Sequence, residues 1–292
     1  DAHILISFVR YCLINDNYQK SRSQATKREI YMLKKSVAIM QCSRVFALPT
    51  TIFSWLVIFV YSLIDSGNMW YGIIAFIGLC SAHLGANLID DYFDYKALIK
   101  EVNFDKEEYL KNSQKTKCRY IINGLFSETQ VLWMSSSYFL VAFLIGLFFF
   151  FKCGIGVLYF ASIGAVIALF YSFLSRICLS EVALSIAFGP AFFGGVYYVM
   201  TGTYSNEVFL LSIPTMIMTI VLLYIHTVMD YEYDLGEGKC TIANRFNSQL
   251  DSLIILKVFL ILAYDNIFMR IRHFGLASFS CISNNTVISR FV

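Results

Sequence analysis

The feature that most constrains this chain is a series of seven apolar runs, most of them long enough to cross a lipid bilayer as a helix. A spanning helix needs about 20 mostly apolar residues. Strands of a membrane barrel are about 10 residues long and alternate in polarity, so these continuous runs predict helices. The predicted spans cover about residues 46–64, 72–90, 131–151, 154–174, 182–201 and 208–229, with a shorter seventh over 252–264.

The composition agrees with a membrane protein. Hydrophobic residues make up 58% of the 292 residues and charged residues 15%, whereas a soluble domain has about 45–50% and about 25%. A net charge of +3 gives no indication of a nucleic-acid partner. The eight scattered cysteines form no CxxC pair, which predicts buried free thiols and neither a zinc site nor a disulfide framework. We therefore predict an all-α, polytopic membrane helix bundle.

The distribution of Lys and Arg orients the predicted bundle. Eight precede the first span and seven lie between spans two and three, whereas the connections 65–71 and 202–207 contain none. Because positive loops stay on the cytoplasmic side, we expect the N-terminus and the loops after spans two, four and six to be cytoplasmic. We expect residues 1–45 to be a polar cytoplasmic segment, of which 1–31 has no assigned role, and residues 46–264 to form the transmembrane domain.

Two acidic clusters end spans two and six, on the same predicted side of the membrane. Carboxylates four residues apart share a helix face, and burying ionisable groups in a bilayer is costly unless they have partners. An all-oxygen set suits Mg²⁺, which commonly binds one or two carboxylates together with substrate phosphates. The clusters therefore predict a diphosphate held between Asn87, Asp90, Asp91 and Asp94 on one side and Asp230 and Asp234 on the other.

The two clusters also match a pair of family motifs. The first, roughly N-x-x-N-D-Y-x-D, is matched by Asn87, Asp91, Tyr92 and Asp94. The second, roughly D-x-x-x-D-x-x-x-G-K-R-T-x-A-x-R, is matched by Asp230, Asp234, Gly238, Lys239, Thr241, Ala243 and Arg245. With these motifs in this order, over about residues 40–265, the chain resembles the UbiA superfamily of intramembrane prenyltransferases. Within it the chain is most similar to the 1,4-dihydroxy-2-naphthoate (MenA-like) branch.

The resemblance implies transfer of a polyprenyl group from its diphosphate to an aromatic acceptor in the bilayer, with Mg²⁺ as cofactor. The acceptor of that branch is 1,4-dihydroxy-2-naphthoate, a precursor of menaquinone. The metal ligands implied are Asp91, Asp94, Asp230 and Asp234, and Asn87, Asp90 and Lys239 would help to bind the diphosphate. Lys239 and Arg245 are the candidates for cationic help to the departing diphosphate, and Tyr171 for an aromatic face towards the allylic cation.

The family fold implies nine spans, whereas this sequence supplies about seven. We interpret residues 265–292, which contain no run long enough to span, as a truncated or frame-shifted end. Three alternatives stay open: the same chemistry on 4-hydroxybenzoate or another aromatic acceptor, a cation-coupled transporter, and an inactive truncated relative. A transporter would place its acids near mid-membrane beside broken helices, whereas these acids end their spans.

Overall fold

A computed structural model describes residues 35–100, 104–111, 118–229, 231, 241–246, 248–258 and 260–261. Within these ranges the regular elements are helical and none is a strand. The chain divides into two units after Ala47. In the first unit, residues 35–42 form a helix and Val45–Ala47 a 3-10 turn. The second unit contains all of the long helices.

Six long helices follow one another in this second unit, and they confirm the predicted all-α membrane fold. Five stretches are long and apolar enough to cross a membrane, and the fourth long helix has a shorter apolar part, Gly156–Tyr171. Of the predicted seventh span, residues 252–258 and 260–261 are helical and the rest lies outside the described residues. The six helices are α1 (Leu48–Ile64), α2 (Met69–Leu98), α3 (Glu128–Cys153), α4 (Gly156–Leu174), α5 (Ser180–Thr201) and α6 (Asn206–Met229).

Helix α2 is the longest described helix, at 30 residues. It begins after Asn68, whose side-chain oxygen accepts hydrogen bonds from the amides of Trp70 and Tyr71 at 3.0 and 3.2 Å. Such a cap satisfies amides that have no partner within the helix. The helix does not end near residue 90, where the apolar run stops, but continues through the acidic residues to Leu98. The helix thus extends eight residues beyond the predicted apolar span, because a backbone can stay helical where its side chains become polar.

Opposite faces of α2 have different partners. At about 100° per residue, the acidic residues and Gly85 lie on opposite sides of the helix axis. Gly85 packs against Phe139 of α3, and its carbonyl oxygen accepts a 2.9 Å hydrogen bond from the hydroxyl of Ser135, which is buried. Because the small-residue face packs on α3, the acidic face is directed away from α3.

The connections α1–α2, α3–α4 and α5–α6 meet at one end of the helices. The amide of Asn68 donates to the carbonyl of Met200 at 2.8 Å, and the hydroxyl of Tyr198 donates to the carbonyl of Cys153 at 2.9 Å. At the same end the hydroxyl of Tyr61 donates to Glu207 Oε2 at 2.7 Å. Since consecutive helices alternate in direction, the C-terminal ends of α2, α4 and α6 lie at the opposite end.

The cysteines differ from the prediction at one position. Cys42 and Cys118 are buried free thiols, and Cys80 and Cys153 are half-buried free thiols. Cys178, however, is disulfide-bonded. The prediction of a free thiol was wrong there, because the spacing of cysteines along the sequence does not show which sulfurs come together in the fold.

Candidate functional site

The acidic face of α2 contains the first predicted cluster. Asp90 and Asp91 are buried, with 7% and 3% of their surface exposed, whereas Asn87 and Asp94 are half-buried. Because these four residues follow each other at spacings of one, three or four, one helix face presents all of them. The structure thus brings Asn87, Asp90, Asp91 and Asp94 together in the last third of α2.

The loop between α2 and α3 packs against this cluster. The thiol of Cys118, 2% exposed, donates to the main-chain carbonyl of Asp91 at 3.0 Å. The short helix Arg119–Ile122 begins at that contact. Arg119 Nη2 donates to the carbonyl of Leu110 at 2.5 Å, which joins the two parts of the loop. The described part of the loop therefore packs directly against the main chain at Asp91.

One turn before Asn87, three helices meet at His83. The Nδ1 of His83 lies 2.7 Å from the hydroxyl oxygen of Thr51 in α1. Its ring also makes an edge contact with the ring of Phe188 in α5, with 5.3 Å between centroids. His83 is thus hydrogen-bonded and packed between helices, as expected for a structural histidine.

The second predicted cluster lies mostly outside the described residues. This applies to Asp230, Asp234 and Lys239. Tyr231, which lies between the two aspartates in sequence, is described and buried, and its hydroxyl donates to the carbonyl of Phe246 at 2.9 Å. The segment 241–246, which follows the cluster, is therefore held against the end of α6.

Arg245 and Tyr171 are both near the end of α4. Tyr171 is half-buried in the last turn of α4. The side chain of Arg245 is exposed, and its Nε donates to Cys178 Sγ at 3.3 Å. Cys178 follows α4 after a single 3-10 turn, Ser175–Ile177. The cationic and the aromatic candidate thus belong to one end of the bundle, the end at which the acidic face of α2 also finishes.

Sequence reasoning gave no chemical role to Glu181, although it is the most buried described carboxylate, with 2% of its surface exposed. It lies in the first turn of α5 and contacts the segment after the second cluster: the amide of Ile242 donates to its Oε1 at 3.2 Å. The sequence signal available for Glu181 was a single acidic residue at the start of an apolar helix. Its partner is 61 residues away in sequence, which no local pattern shows.

Comparison with known proteins identifies the family. The model of the UbiA prenyltransferase family matches residues 47–283. No curated protein sequence matches the chain. Two solved structures share its fold, each at 16% sequence identity. One is of a digeranylgeranylglyceryl phosphate synthase in membranes, with a TM-score of 0.52 over 80% of this chain and 76% of that one. The other is the apo structure of a UbiA homologue from Aeropyrum pernix K1, with a TM-score of 0.54 over 74% of this chain and 78% of that one. Since the family model covers most of its length, the chain belongs to the UbiA prenyltransferase family.

Proposed function

We propose that this protein transfers a polyprenyl group from its diphosphate to 1,4-dihydroxy-2-naphthoate, in an Mg²⁺-dependent step of menaquinone biosynthesis. The observation that carries the proposal is the pair of buried carboxylates, Asp90 and Asp91, near the end of an apolar helix in a member of the UbiA family. The family match favours prenyl transfer over the cation-coupled transporter. The run Gly238-Lys239-x-Thr241-x-Ala243-x-Arg245, which resembles the naphthoate branch, favours the naphthoate over 4-hydroxybenzoate.

The residues of the first cluster fit Mg²⁺ by their donor atoms. Asp91 and Asp94 offer carboxylate oxygens, the ligands that Mg²⁺ prefers, and burial of Asp91 makes a cation partner favourable. Among the described residues no three His, Cys, Asp or Glu side chains form a complete metal site. In our proposal Asp230 and Asp234 supply the remaining carboxylates. Bound Mg²⁺ would stabilise negative charge on the departing diphosphate.

The other candidate residues act on the substrates directly. Asn87 and Asp90 line the diphosphate side of α2, and Lys239 and Arg245 offset the negative charge that grows on the leaving group. The allylic carbon–oxygen bond breaks and its electron pair leaves with the diphosphate. The aromatic carbon of the acceptor forms the new carbon–carbon bond and then releases its own substituent, a proton or a carboxylate lost as CO₂, which restores the aromatic ring. Tyr171 supplies an aromatic face to the allylic cation. Low water content around the cation prevents its hydrolysis.

The proposal places this reaction at the cytoplasmic surface of the bilayer. The positive-inside distribution of Lys and Arg supports it, because the acidic clusters follow spans that end beside positive loops. The prenyl tail would lie among the membrane helices, where its burial is favourable. The polar diphosphate and the acceptor would then reach the site from the aqueous side.

The test uses membranes containing this chain, radiolabelled 1,4-dihydroxy-2-naphthoate and a long-chain prenyl diphosphate, with and without Mg²⁺. We expect a lipid-soluble product only with Mg²⁺, and its loss in Asp91→Ala and in Asp234→Ala. Glu207→Ala is the matched control, because this carboxylate lies in the first turn of α6, at the end of the helices opposite the acidic face of α2. It should retain activity.

The same assays also test the identity of the acceptor and the assignment of the metal ligands. Product from 4-hydroxybenzoate and none from the naphthoate would replace the proposed acceptor. Activity retained in either aspartate variant would contradict the metal assignment. No product from any aromatic acceptor, with a full-length relative active under the same conditions, would contradict the proposed function and favour an inactive relative.

A further inference from the structure

Glu181 is a buried acid that the proposed reaction does not use directly. It lies in the first turn of α5, with 2% of its surface exposed. Among the described residues no Lys or Arg forms an ion pair with it. Burying a carboxylate is expensive unless hydrogen bonds replace its lost hydration. Its hydrogen-bond partners must therefore replace the hydration that Glu181 loses on burial.

Both carboxylate oxygens of Glu181 have partners. The hydroxyl of Ser180, itself buried, donates to Oε2 at 3.0 Å. The main-chain amide of Ile242 donates to Oε1 at 3.2 Å. The second bond is the informative one, because it joins the start of α5 to the segment that follows the second acidic cluster. Hydrogen bonds to charged groups are the stronger kind.

The segment held by this bond leads directly to Arg245. After Ile242 the chain makes a 3-10 turn, Ala243–Arg245. Ala243 is fully buried, and its carbonyl accepts from the hydroxyl of Ser252 at 2.9 Å. The turn is thus fixed by α5 on one side and by residues 248–258 on the other. Arg245 is the last residue of this turn, and its side chain is exposed.

We propose that Glu181 is a positioning residue: by fixing the main chain at Ile242 it sets the place of Arg245 relative to the substrate diphosphate. The inference rests on the proposed function, in which Arg245 offsets charge on the leaving group. Misplacing a group by about 1 Å can cost about a hundredfold in rate. Glu181 contacts no substrate and acts through the 241–246 segment alone.

The test compares two substitutions at Glu181 with one control. Glu181→Met fills the space with a flexible apolar chain and removes the acceptor for the Ile242 amide. Glu181→Gln keeps an acceptor oxygen and removes the charge. Glu207→Met is the matched control, because Glu207 also starts a helix and accepts a hydrogen bond, from Tyr61.

Two readouts separate positioning from a general loss of structure. In Glu181→Met we expect kcat to fall about tenfold or more, because Arg245 acts on the charge that grows on the leaving group, with the KM for the acceptor within about twofold. We also expect faster amide hydrogen exchange, measured by mass spectrometry, over residues 241–246 and not in α2 or α3. Glu181→Gln should resemble the unsubstituted protein in both readouts, and so should Glu207→Met.

Several outcomes would overturn the inference. These are an unprotected Ile242 amide in the unsubstituted protein, unchanged exchange in Glu181→Met, an unchanged kcat in Glu181→Met, or a Glu181→Gln variant as impaired as Glu181→Met. The exchange measurement on the unsubstituted protein needs no folded variant and no turnover. Failure of the proposed function would instead appear as absence of product in the unsubstituted protein, with the Ile242 amide still protected.

Discussion

A single methyl group added at Gly72 tests how tightly three helices meet at the start of α2. A Cβ at this position would lie 2.5 Å from Cδ2 and 2.6 Å from Cε2 of Phe59, and 2.8 Å from Sδ of Met200. The ring of Phe59 cannot move away freely, since it stacks on Trp55 with centroids 4.4 Å apart. Trp55 is fixed in turn by the hydrogen bond from its Nε1 to the carbonyl of Gly72, at 2.9 Å.

The magnitude follows from these distances. Carbon atoms in contact prefer about 3.5–4.0 Å, so Gly72→Ala requires a displacement of about 1 Å in the Phe59 ring or the helix. Overpacking of this kind costs about 1–3 kcal/mol. The alanine also gains up to about 1 kcal/mol by restricting the unfolded chain and favouring the helix. A second glycine is needed to remove this gain from the comparison.

Gly146→Ala is that control, since Gly146 lies within α3 and a Cβ there has no neighbour within 4 Å. The free energy of unfolding of each purified variant would be measured by SDS titration in mixed micelles. Gly72→Ala should be less stable than Gly146→Ala by about 1–3 kcal/mol, which is the packing cost alone. Equal stability of the two variants would refute the packing at this helix crossing.

Two further substitutions probe the α2–α3 contact. Ser135→Ala removes the buried hydrogen bond to the carbonyl of Gly85. It should lower the free energy of unfolding by about 0.5–1.5 kcal/mol in the same titration. Stability equal to that of the unsubstituted protein would show that this bond contributes nothing. Lys96→Met breaks the 2.5 Å ion pair with Glu128, whose side chains are 36% and 40% exposed. Its effect on stability should be small and should shrink at high salt, and a large, salt-independent loss would contradict a solvated pair.

Part of this architecture was predictable from the sequence because membrane spans follow from local composition. Runs of about 20 apolar residues cannot stay in water, and a backbone in lipid must satisfy its own hydrogen bonds as a helix. The first six of the seven predicted spans therefore correspond to the six long helices. The end of α2 was less predictable: hydropathy falls at Asp90, but the helix continues to Leu98, since polar side chains on one face do not break the backbone.

The first acidic cluster could also be predicted from residues close together in the sequence. Spacings of three and four residues place Asn87, Asp91 and Asp94 on one face of any helix. The sequence did not indicate that Asp90 and Asp91 would be buried, or that Cys118 would donate to the main chain of Asp91. These contacts depend on where the α2–α3 loop packs.

The sequence by itself determined the helical membrane fold, the family and the candidate acids, because each of these depends on residues within one helix or one motif. Only the tertiary structure decided that Glu181 contacts Ile242 and that Arg245 contacts Cys178. Those partners are 61 and 67 residues apart in sequence. Such pairings follow from the way whole helices pack against one another, and no spacing along the chain encodes them.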